Sequence, residues 1–338
     1  MDFKKLNKPY IIAEIGINHE GNYSLAKKLV FEANKAGADA VKFQVFKPST
    51  LAIEKSKKNK LQKKNSGKES LFKIWNRVCL KFSSLKKLRD YAKKLKIDFI
   101  CTPFDFESLK LVKKLNLNAI KIASSDITDI PLITEISKIN KPVILSTGMA
   151  NTQEITKAVS CLKKKNLTLL HCVSMYPCEF KNANLKRIIS LKKNFNKYTI
   201  GYSDHCKNID ASIFALSLGA MVIEKHFTLD KKREVLDHSL SADPIDLKTI
   251  CEYAKNINNL SGENKIKPSD KERNFIKYFR KGIYILRKVK KGQIIKKENL
   301  IIRRPQNSVK PETYQKLIGK RVRKSLNAHE GINLKYIY

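Results

Sequence analysis

The chain has 338 residues, 42% of them hydrophobic, which is enough for one large domain and a small one with buried cores. Its formal net charge of +38 favours anionic ligands. The cations are spread over nearly every helical pattern, and the sequence shows no RNA- or DNA-binding signature, so nucleic acid is not expected as a partner.

The sequence also argues against a membrane protein. Its longest apolar run, residues 211–223, is shorter than the roughly 18 residues of a membrane helix and is followed at once by Glu224 and Lys225. The segment before Tyr10 is charged and lacks the apolar core of a signal peptide. The seven cysteines include no CxxC pair. We therefore expect a cytoplasmic protein with reduced thiols and no membrane partner.

From Tyr10 to about Ser261, short β-rich runs alternate with longer, lysine-studded helical patterns, which is typical of parallel βα units. The predicted strands cover residues 10–16, 39–46, 98–103, 119–125, 142–148, 167–173, 198–204 and 220–227. Eight such units predict a (β/α)8 TIM barrel over residues 1–262, with its site at the carboxyl ends of the strands.

Two stretches depart from this alternation. Residues 54–69 are rich in lysine and form either a flap over the barrel mouth or a tolerated polar insertion. After the barrel, residues 263–281 read as a linker, and residues 282–338 read as a small β-rich domain with Gly turns. So small a unit usually needs a surface to dock against.

Polar side chains collect where the predicted strands end. They are Glu14, Lys42, Gln44, Thr102, Lys121, Ser124, Ser146, Thr147, Ser174, Tyr176, Ser203, Asp204, His205, Glu224 and His226. Any one of them could be an ordinary strand-end residue, but a charge on nearly every strand indicates a ligand site. Two lysines with several hydroxyls suit a phosphate or a carboxylate.

The eighth strand carries the most specific signal. Glu224 and His226 share one face of it, and burying them unpaired would be costly, so a partner, a metal or a ligand is implied. A core role is the alternative for a lone histidine. His205 and His226, from adjacent strands, can bind one divalent cation, and two nitrogen ligands suit Mn or Mg better than a closed structural zinc. Glu14 could act as general acid or base. The pair His171 and Cys172 is expected in the core.

The motifs "AEIGINHEGN", "GADAVKFQ", "CTPFD", "KIASSD", "LSTGMA", "LLHCVSMYP", "IGYSDH", "IEKHFTLD", "DHSLSADP" and "RRPQNS" resemble the sialic acid synthase family in order and spacing. The last part of the chain is similar to the antifreeze-like (SAF) domain of that family. The resemblance implies condensation of phosphoenolpyruvate with an N-acetylated amino sugar, N-acetylmannosamine first, to a sialic acid and phosphate. It also implies a homodimer in which the SAF domain of one subunit covers the barrel mouth of the other.

The resemblance further assigns individual residues. His205 and His226 would hold the metal, and Glu14 matches the catalytic glutamate. The phosphoenolpyruvate pocket would consist of Lys42, Thr102, Lys121, Ser124, Ser146 and Ser203. The sugar would contact Gln44, Tyr176, Asp237 and Arg304, the last reaching in from the partner's SAF domain.

Departures from the family pattern lie around the sugar pocket, whereas all the residues of the implied phosphoenolpyruvate pocket match it. Val235 and Leu236 stand where Gly-Pro is common, Ser174 where Asn is common and Asp126 where Glu is common. Legionaminic or pseudaminic acid synthesis from diacetamido sugars is therefore an alternative within the family. An alternative of another class is a catalytically silent barrel that binds anionic polymers through its basic surface.

Overall fold

A computed structural model of the chain describes residues 2–51, 69–163, 166–233 and 237–338. In this part of the chain, eight parallel strands close into a barrel in sequence order. They are β1 (Tyr10–Gly16), β2 (Ala40–Val45), β3 (Asp98–Pro103), β4 (Ala119–Ile122), β5 (Val143–Ser146), β6 (Leu167–Cys172), β7 (Thr199–Asp204) and β8 (Val222–His226). The predicted TIM barrel is confirmed.

Helices lie between and after the strands, several of them beginning at a side-chain cap. They are α1 (Tyr23–Lys35), α2 (Pro48–Leu51), α3 (Leu71–Val78), α4 (Phe82–Leu95), α5 (Phe106–Lys113), α6 (Ile130–Ser137), α7 (Thr152–Leu162), α8 (Arg187–Asn194), α9 (Asp210–Ser217), α10 (Pro244–Ser261), α11 (Asp270–Phe279) and α12 (Tyr314–Leu317). The lysine-rich segment predicted at 54–69 lies, except for its last residue, outside the described residues. No helix in the described ranges is long and apolar enough to cross a bilayer.

The barrel interior changes character along its axis. At the amino-terminal end it is filled by hydrocarbon, where Ile12, Ile100 and Val222 pack with Phe3. Because strand residues alternate faces, the next inward position after Ile12 is Glu14. Parallel pairing sets Glu14 opposite Lys42 on one side and His226 on the other. The carboxyl end of the barrel is therefore lined by ionisable side chains, which lie above this apolar layer.

Close packing of β6, β7 and β8 in the apolar layer beneath the site depends on Gly201. A Cβ on Gly201 of β7 would lie 2.2 Å from the backbone oxygen of Val222 and 2.6 Å from a methyl of Leu170. Real Cβ atoms do not approach backbone that closely, so only glycine fits between β6 and β8 here. This packing brings Ser203 and Asp204, at the end of β7, next to β8.

The chain divides into two compact units, Met1–Gly262 and Glu263–Tyr338. In the second unit β9 (Gly282–Ile285) pairs antiparallel with β10 (Leu300–Arg303) over its own small core, which includes Ile283, Val289 and Leu326. The stretch predicted as a linker, residues 263–281, contains α11, which begins with a capping box between Ser269 and Glu272. The S-x-x-E spacing that marks such a box was present in the sequence.

Candidate active site

Two lysines and two glutamates form a buried charge network at the carboxyl end of the barrel. Lys42 Nζ lies 2.8 Å from Glu14 Oε2 and 3.7 Å from Glu224 Oε2. Lys121 Nζ lies 3.6 Å from Glu224 Oε1. All four side chains are at most 6% exposed. Buried charges at this density are tolerated because each has a partner of opposite sign.

The network treats its two carboxyl groups differently. Burial raises the pKa of Glu14, and Lys42 offsets this only in part. Burial would also raise the pKa of Glu224, but Lys121 and Lys42 outweigh it and lower that pKa overall. Neighbouring carboxyl groups with pKa values pushed apart are typical of an acid/base site. Glu14 is therefore the group better suited to hold and release a proton.

Hydroxyl and amide groups complete the lining. Thr102 Oγ1 accepts from Lys42 Nζ at 3.2 Å, and Ser203 Oγ donates to Glu224 Oε1 at 2.9 Å. Gln44 Nε2 donates to Glu14 Oε1 at 3.1 Å. These contacts bring side chains of β1, β2, β3, β7 and β8 together at the carboxyl end of the barrel.

Some polar atoms at this end of the barrel are shielded from solvent but have no hydrogen-bond partner among the described residues. They include Ser146 Oγ, Ser174 Oγ and His226 Nδ1. Ser124, by contrast, accepts a hydrogen bond from the Gly148 backbone N–H at 3.0 Å, in the 3-10 turn that follows β4. Buried donors and acceptors without partners are rare in folded proteins, so they point to a polar ligand.

The two predicted metal ligands face each other, with ring centroids 5.5 Å apart. His205 Nδ1 lies 2.8 Å from the carbonyl of Val173, so as a donor it leaves the Nε2 lone pair free for a cation. Burial lowers the pKa of His226 well below its usual value, which favours the neutral imidazole that binds metals. The two side chains thus fit a divalent cation.

No group of three or more His, Cys, Asp or Glu residues with metal-site geometry occurs in the described ranges. Two histidines would leave most coordination positions of the cation to water and substrate. That arrangement suits Mn or Mg, which tolerate several non-protein oxygen ligands, better than a structural zinc.

The predicted sugar contacts are only partly brought together. The Tyr176 ring lies 4.0 Å from that of His205 and 6.1 Å from that of His226, and Asp237 Oδ2 is 3.6 Å from His226 Nδ1. Arg304 belongs to the second unit, where its guanidinium lies over the Phe279 ring. Its assignment to the sugar site stays a prediction. Val235 and Leu236 lie outside the described residues.

Sequence reasoning undervalued two residues. Glu224 was treated as a neighbour of His226, yet it contacts both lysines. Cys172 was expected in the core; it is buried, but its Sγ lies 3.9 Å from His205 Nδ1. His171 is buried as expected, with Nε2 2.7 Å from the Ala183 carbonyl. The inward alternation along β8 could have indicated Glu224, whereas no sequence signal indicated the contact of Cys172.

Comparison with known proteins gives the family. The NeuB family model matches residues 29–266, and the SAF domain model matches residues 280–335. The chain is 42% identical to an N,N'-diacetyllegionaminic acid synthase of Campylobacter jejuni, covering 96% of this chain and 99% of that protein. It is 36% identical to the protein of the same name in Legionella pneumophila, covering 94% and 92%.

A solved structure agrees with these relatives. The N-acetylneuraminic acid synthetase of Leptospira borgpetersenii superposes with a TM-score of 0.70 at 34% identity, covering 80% of this chain and 90% of that one. The resemblance inferred from the motifs is confirmed. With its TIM barrel, its mouth lined by lysines and histidines, and its C-terminal SAF domain, the chain belongs to the NeuB family.

Proposed function

We propose that this protein condenses phosphoenolpyruvate with an N-acetylated amino sugar to give a nonulosonic acid of the sialic acid type and phosphate. The observation that carries the proposal is the buried cradle of Lys42, Lys121 and hydroxyl groups beside His205 and His226. A cradle of two ammonium groups suits a donor that carries both a phosphate and a carboxylate.

The side chains have separate tasks in this reaction. Lys42 and Lys121 would hold the phosphate and carboxylate of the donor so that its methylene carbon faces the sugar's aldehyde carbon. As the carbon–carbon bond forms there, the aldehyde π bond breaks onto its oxygen, which takes up a proton to become a hydroxyl, and positive charge develops on the adjacent enol-ether carbon. Water adds to that carbon, Glu14 takes up its proton, and the tetrahedral intermediate expels phosphate to leave a keto acid.

We infer that His205 and His226 hold a divalent cation, Mn or Mg. When bound, such a cation acts as a Lewis acid toward the aldehyde oxygen. The low pKa of His226, which keeps a nitrogen lone pair available, supports this role. At His205, burial is outweighed by the neighbouring Cys172 and the pKa is raised, so cation binding there would displace a proton.

For the acceptor, we propose a diacetamido sugar of the legionaminic acid type. The support is the 42% and 36% identity to two enzymes named for that product, each over more than nine tenths of this chain. N-Acetylmannosamine, the first choice from sequence, is the second candidate, supported by the 34% identical N-acetylneuraminic acid synthetase. Ser174 and Asp126, which differ from the common family residues, are the positions at which to look for the difference.

The test is phosphate release by purified protein with phosphoenolpyruvate, Mn and each sugar in turn. We expect the highest kcat/KM with a diacetamido sugar, measurable turnover with N-acetylmannosamine and none without a divalent cation. Failure to release phosphate with any of the N-acetylated sugars would contradict the enzyme proposal. Strong, salt-sensitive RNA retention without a thermal shift from phosphoenolpyruvate and Mn would instead favour the silent anion-binding barrel.

We also propose that the protein works as a homodimer in the cytoplasm. The dimer is supported by α11, which leaves Phe275, Tyr278 and Phe279 each more than half exposed, an apolar face that suits an interface. The cytoplasmic assignment is supported by cysteines that are all free.

A further inference from the structure

A second buried ion pair lies behind the site, on the outward face of the barrel strands. Lys225 of β8 and Asp204 of β7 are both fully buried, with Lys225 Nζ 3.2 Å from Asp204 Oδ2. Lys225 Nζ also donates to the backbone carbonyls of Cys206 and Asn208, the latter at 3.2 Å. The cation is therefore bound to one side chain and to two peptide groups of the loop that follows β7.

Asp204 fastens the same segment from the other side. Its Oδ1 accepts from the backbone N–H of Cys206 at 2.8 Å and from the Tyr202 hydroxyl at 3.2 Å. Its Oδ2 accepts from the Ser212 hydroxyl, in α9, at 2.6 Å. Together the two charges hold the end of β7, the loop after it and the start of α9.

His205 is the residue between these attachments. Asp204 precedes it, and the backbone N–H and carbonyl of Cys206 just after it are both bound by the pair. Side chains alternate faces at a strand end, so Asp204 points outward while His205 points into the site. The imidazole's remaining freedom is restricted by the contact of Nδ1 with Val173.

Stabilisation of the fold does not by itself explain why an ion pair is buried here. Two charges buried away from water are usually no more stabilising than apolar side chains of the same volume. What an ion pair adds is fixed geometry, because each charge must keep its partners. We propose that the Asp204–Lys225 pair is a positioning device that fixes the His205 imidazole in the orientation needed to bind a divalent cation. The inference rests on the metal site of the proposed function.

The experiment compares Mn binding and thermal stability in the full-length protein. Lys225→Met leaves the Asp204 charge unpaired, so we expect Tm to fall by about 10 °C. Adding Asp204→Asn removes the second charge and should restore most of that Tm. If the pair positions His205, Mn affinity measured by calorimetry stays about 10-fold or more weaker in both variants, as for lost outer-shell partners of metal ligands. Binding of phosphoenolpyruvate without metal should change by less than about threefold.

The matched control is Lys231→Met, since Lys231 is a partly exposed cation paired with Asp243 and Asp246 after the same strand. It should change neither Mn affinity nor Tm appreciably. Recovery of both Tm and Mn affinity in the double variant would show that the pair is only structural and would overturn the inference.

Two further results remain decisive if the double variant fails to fold. Lys225→Arg keeps the charge but changes its geometry, so it should weaken Mn binding while Tm stays nearly constant, and unchanged Mn affinity would overturn the inference. Wild-type protein that binds no Mn would refute the metal site itself, and the inference with it. If the wild type binds Mn and Lys225→Arg binds it equally well, only the positioning role is refuted, and the metal site stands.

Discussion

Glu14 and Glu224 contact the same lysine, yet their surroundings shift their pKa values in opposite directions. Burial dominates at Glu14 and raises its pKa, whereas two lysines and the Ser203 hydroxyl outweigh burial at Glu224. The lowered pKa makes Glu224 the carboxylate that balances the lysines, and the raised pKa makes Glu14 the group better suited to exchange a proton. At the scale of single residues, the environment sets the role, because the two side chains are chemically identical.

The metal assignment predicts the effect of His226→Ala. Removing this imidazole should lower metal-dependent phosphate release at least about 100-fold, because one of two protein ligands is lost. The fold should persist, with a far-ultraviolet circular dichroism spectrum like that of the wild type. The control is His171→Ala, which removes a buried histidine that bonds to the Ala183 carbonyl and is not a proposed metal ligand. It should retain most of the metal-dependent rate. An unchanged rate in His226→Ala would show that the metal assignment is wrong.

Asp126 provides a prediction about pH. Burial, aided by Asp129, raises the pKa of Asp126 from its ordinary 3.8 to about 6, and its Oδ2 has no hydrogen-bond partner among the described residues. A carboxyl group with a raised pKa favours folding in its protonated form. Its contribution is therefore fully present below pH 3.8 and is lost as the pH rises through about 6.

Asp126→Asn should accordingly raise the free energy of unfolding at pH 7.5. Two pKa units correspond to about 3 kcal/mol, which partial exposure reduces to about 1 kcal/mol. The gain should shrink toward pH 4.5, as measured by urea unfolding across this range. Asp129→Asn removes only the charge that aids the shift, while Asn still caps α6, so it should give a smaller gain with the same pH dependence. A gain that is equal at both pH values would contradict the assignment.

At the scale of elements, the register of parallel strands builds the site. Glu14 meets Lys42 and His226 because β1 pairs with β2 on one side and β8 on the other. The predicted strands were correct in order and place, although β4 ends at Ile122 and β5 at Ser146, before the predicted ends. The residues after Ile122 turn into a 3-10 helix that holds Ser124 toward Gly148. Periodicity finds the elements, but hydrogen bonds between loops decide where each one stops.

The caps of the helices give a prediction at this scale. Asn151 starts α7 just after the loop that follows β5, accepting from the Glu154 N–H while the Glu154 side chain accepts from the Asn151 N–H. Asn151→Ala should lower the free energy of unfolding by about 1 kcal/mol. Lys81→Ala is the matched control, since Lys81 precedes α4 without a side-chain cap bond. Equal losses in chemical denaturation would show that the capping bond is not the cause.

At the scale of the whole molecule, the proposed swapped dimer makes each site depend on two chains. His226→Ala would remove a proposed metal ligand from its own barrel, and Arg304→Ala would remove the arginine proposed to reach into the partner's barrel. In a dimer with one chain of each kind, one of the two sites then has both residues intact. Random mixing makes half of the dimers mixed, so activity at low acceptor concentration should recover to roughly a quarter of the wild-type value.

The mixing experiment uses the two full-length variants, dissociated and reassociated together, with phosphate release as the readout. Each variant reassociated alone is the control and should stay at its own low rate. Arg304→Ala alone should raise the KM for the sugar more than that for phosphoenolpyruvate. No recovery in a mixture whose dimers are shown by analytical ultracentrifugation to have exchanged would argue that Arg304 serves its own chain's barrel.

The amino-acid sequence by itself determined the barrel, the SAF domain and the family, because hydrophobic periodicity and the order of motifs are local properties of the chain. It also placed Lys42, Lys121, His205 and His226 at strand ends, since alternation along a strand fixes which side chains point inward. The helix within residues 263–281 also carried a local capping signal, but the polar composition of this stretch led to its prediction as a linker.

Only the tertiary structure decided which charges meet. The pairing of Glu224 with both lysines, the contact of Cys172 with His205 and the ion pair of Asp204 with Lys225 join residues on different strands. Their distances depend on how the barrel closes, and their pKa values depend on burial that no local pattern records. The sequence specifies which groups are available, and the closed barrel sets their distances, their burial and therefore their chemistry.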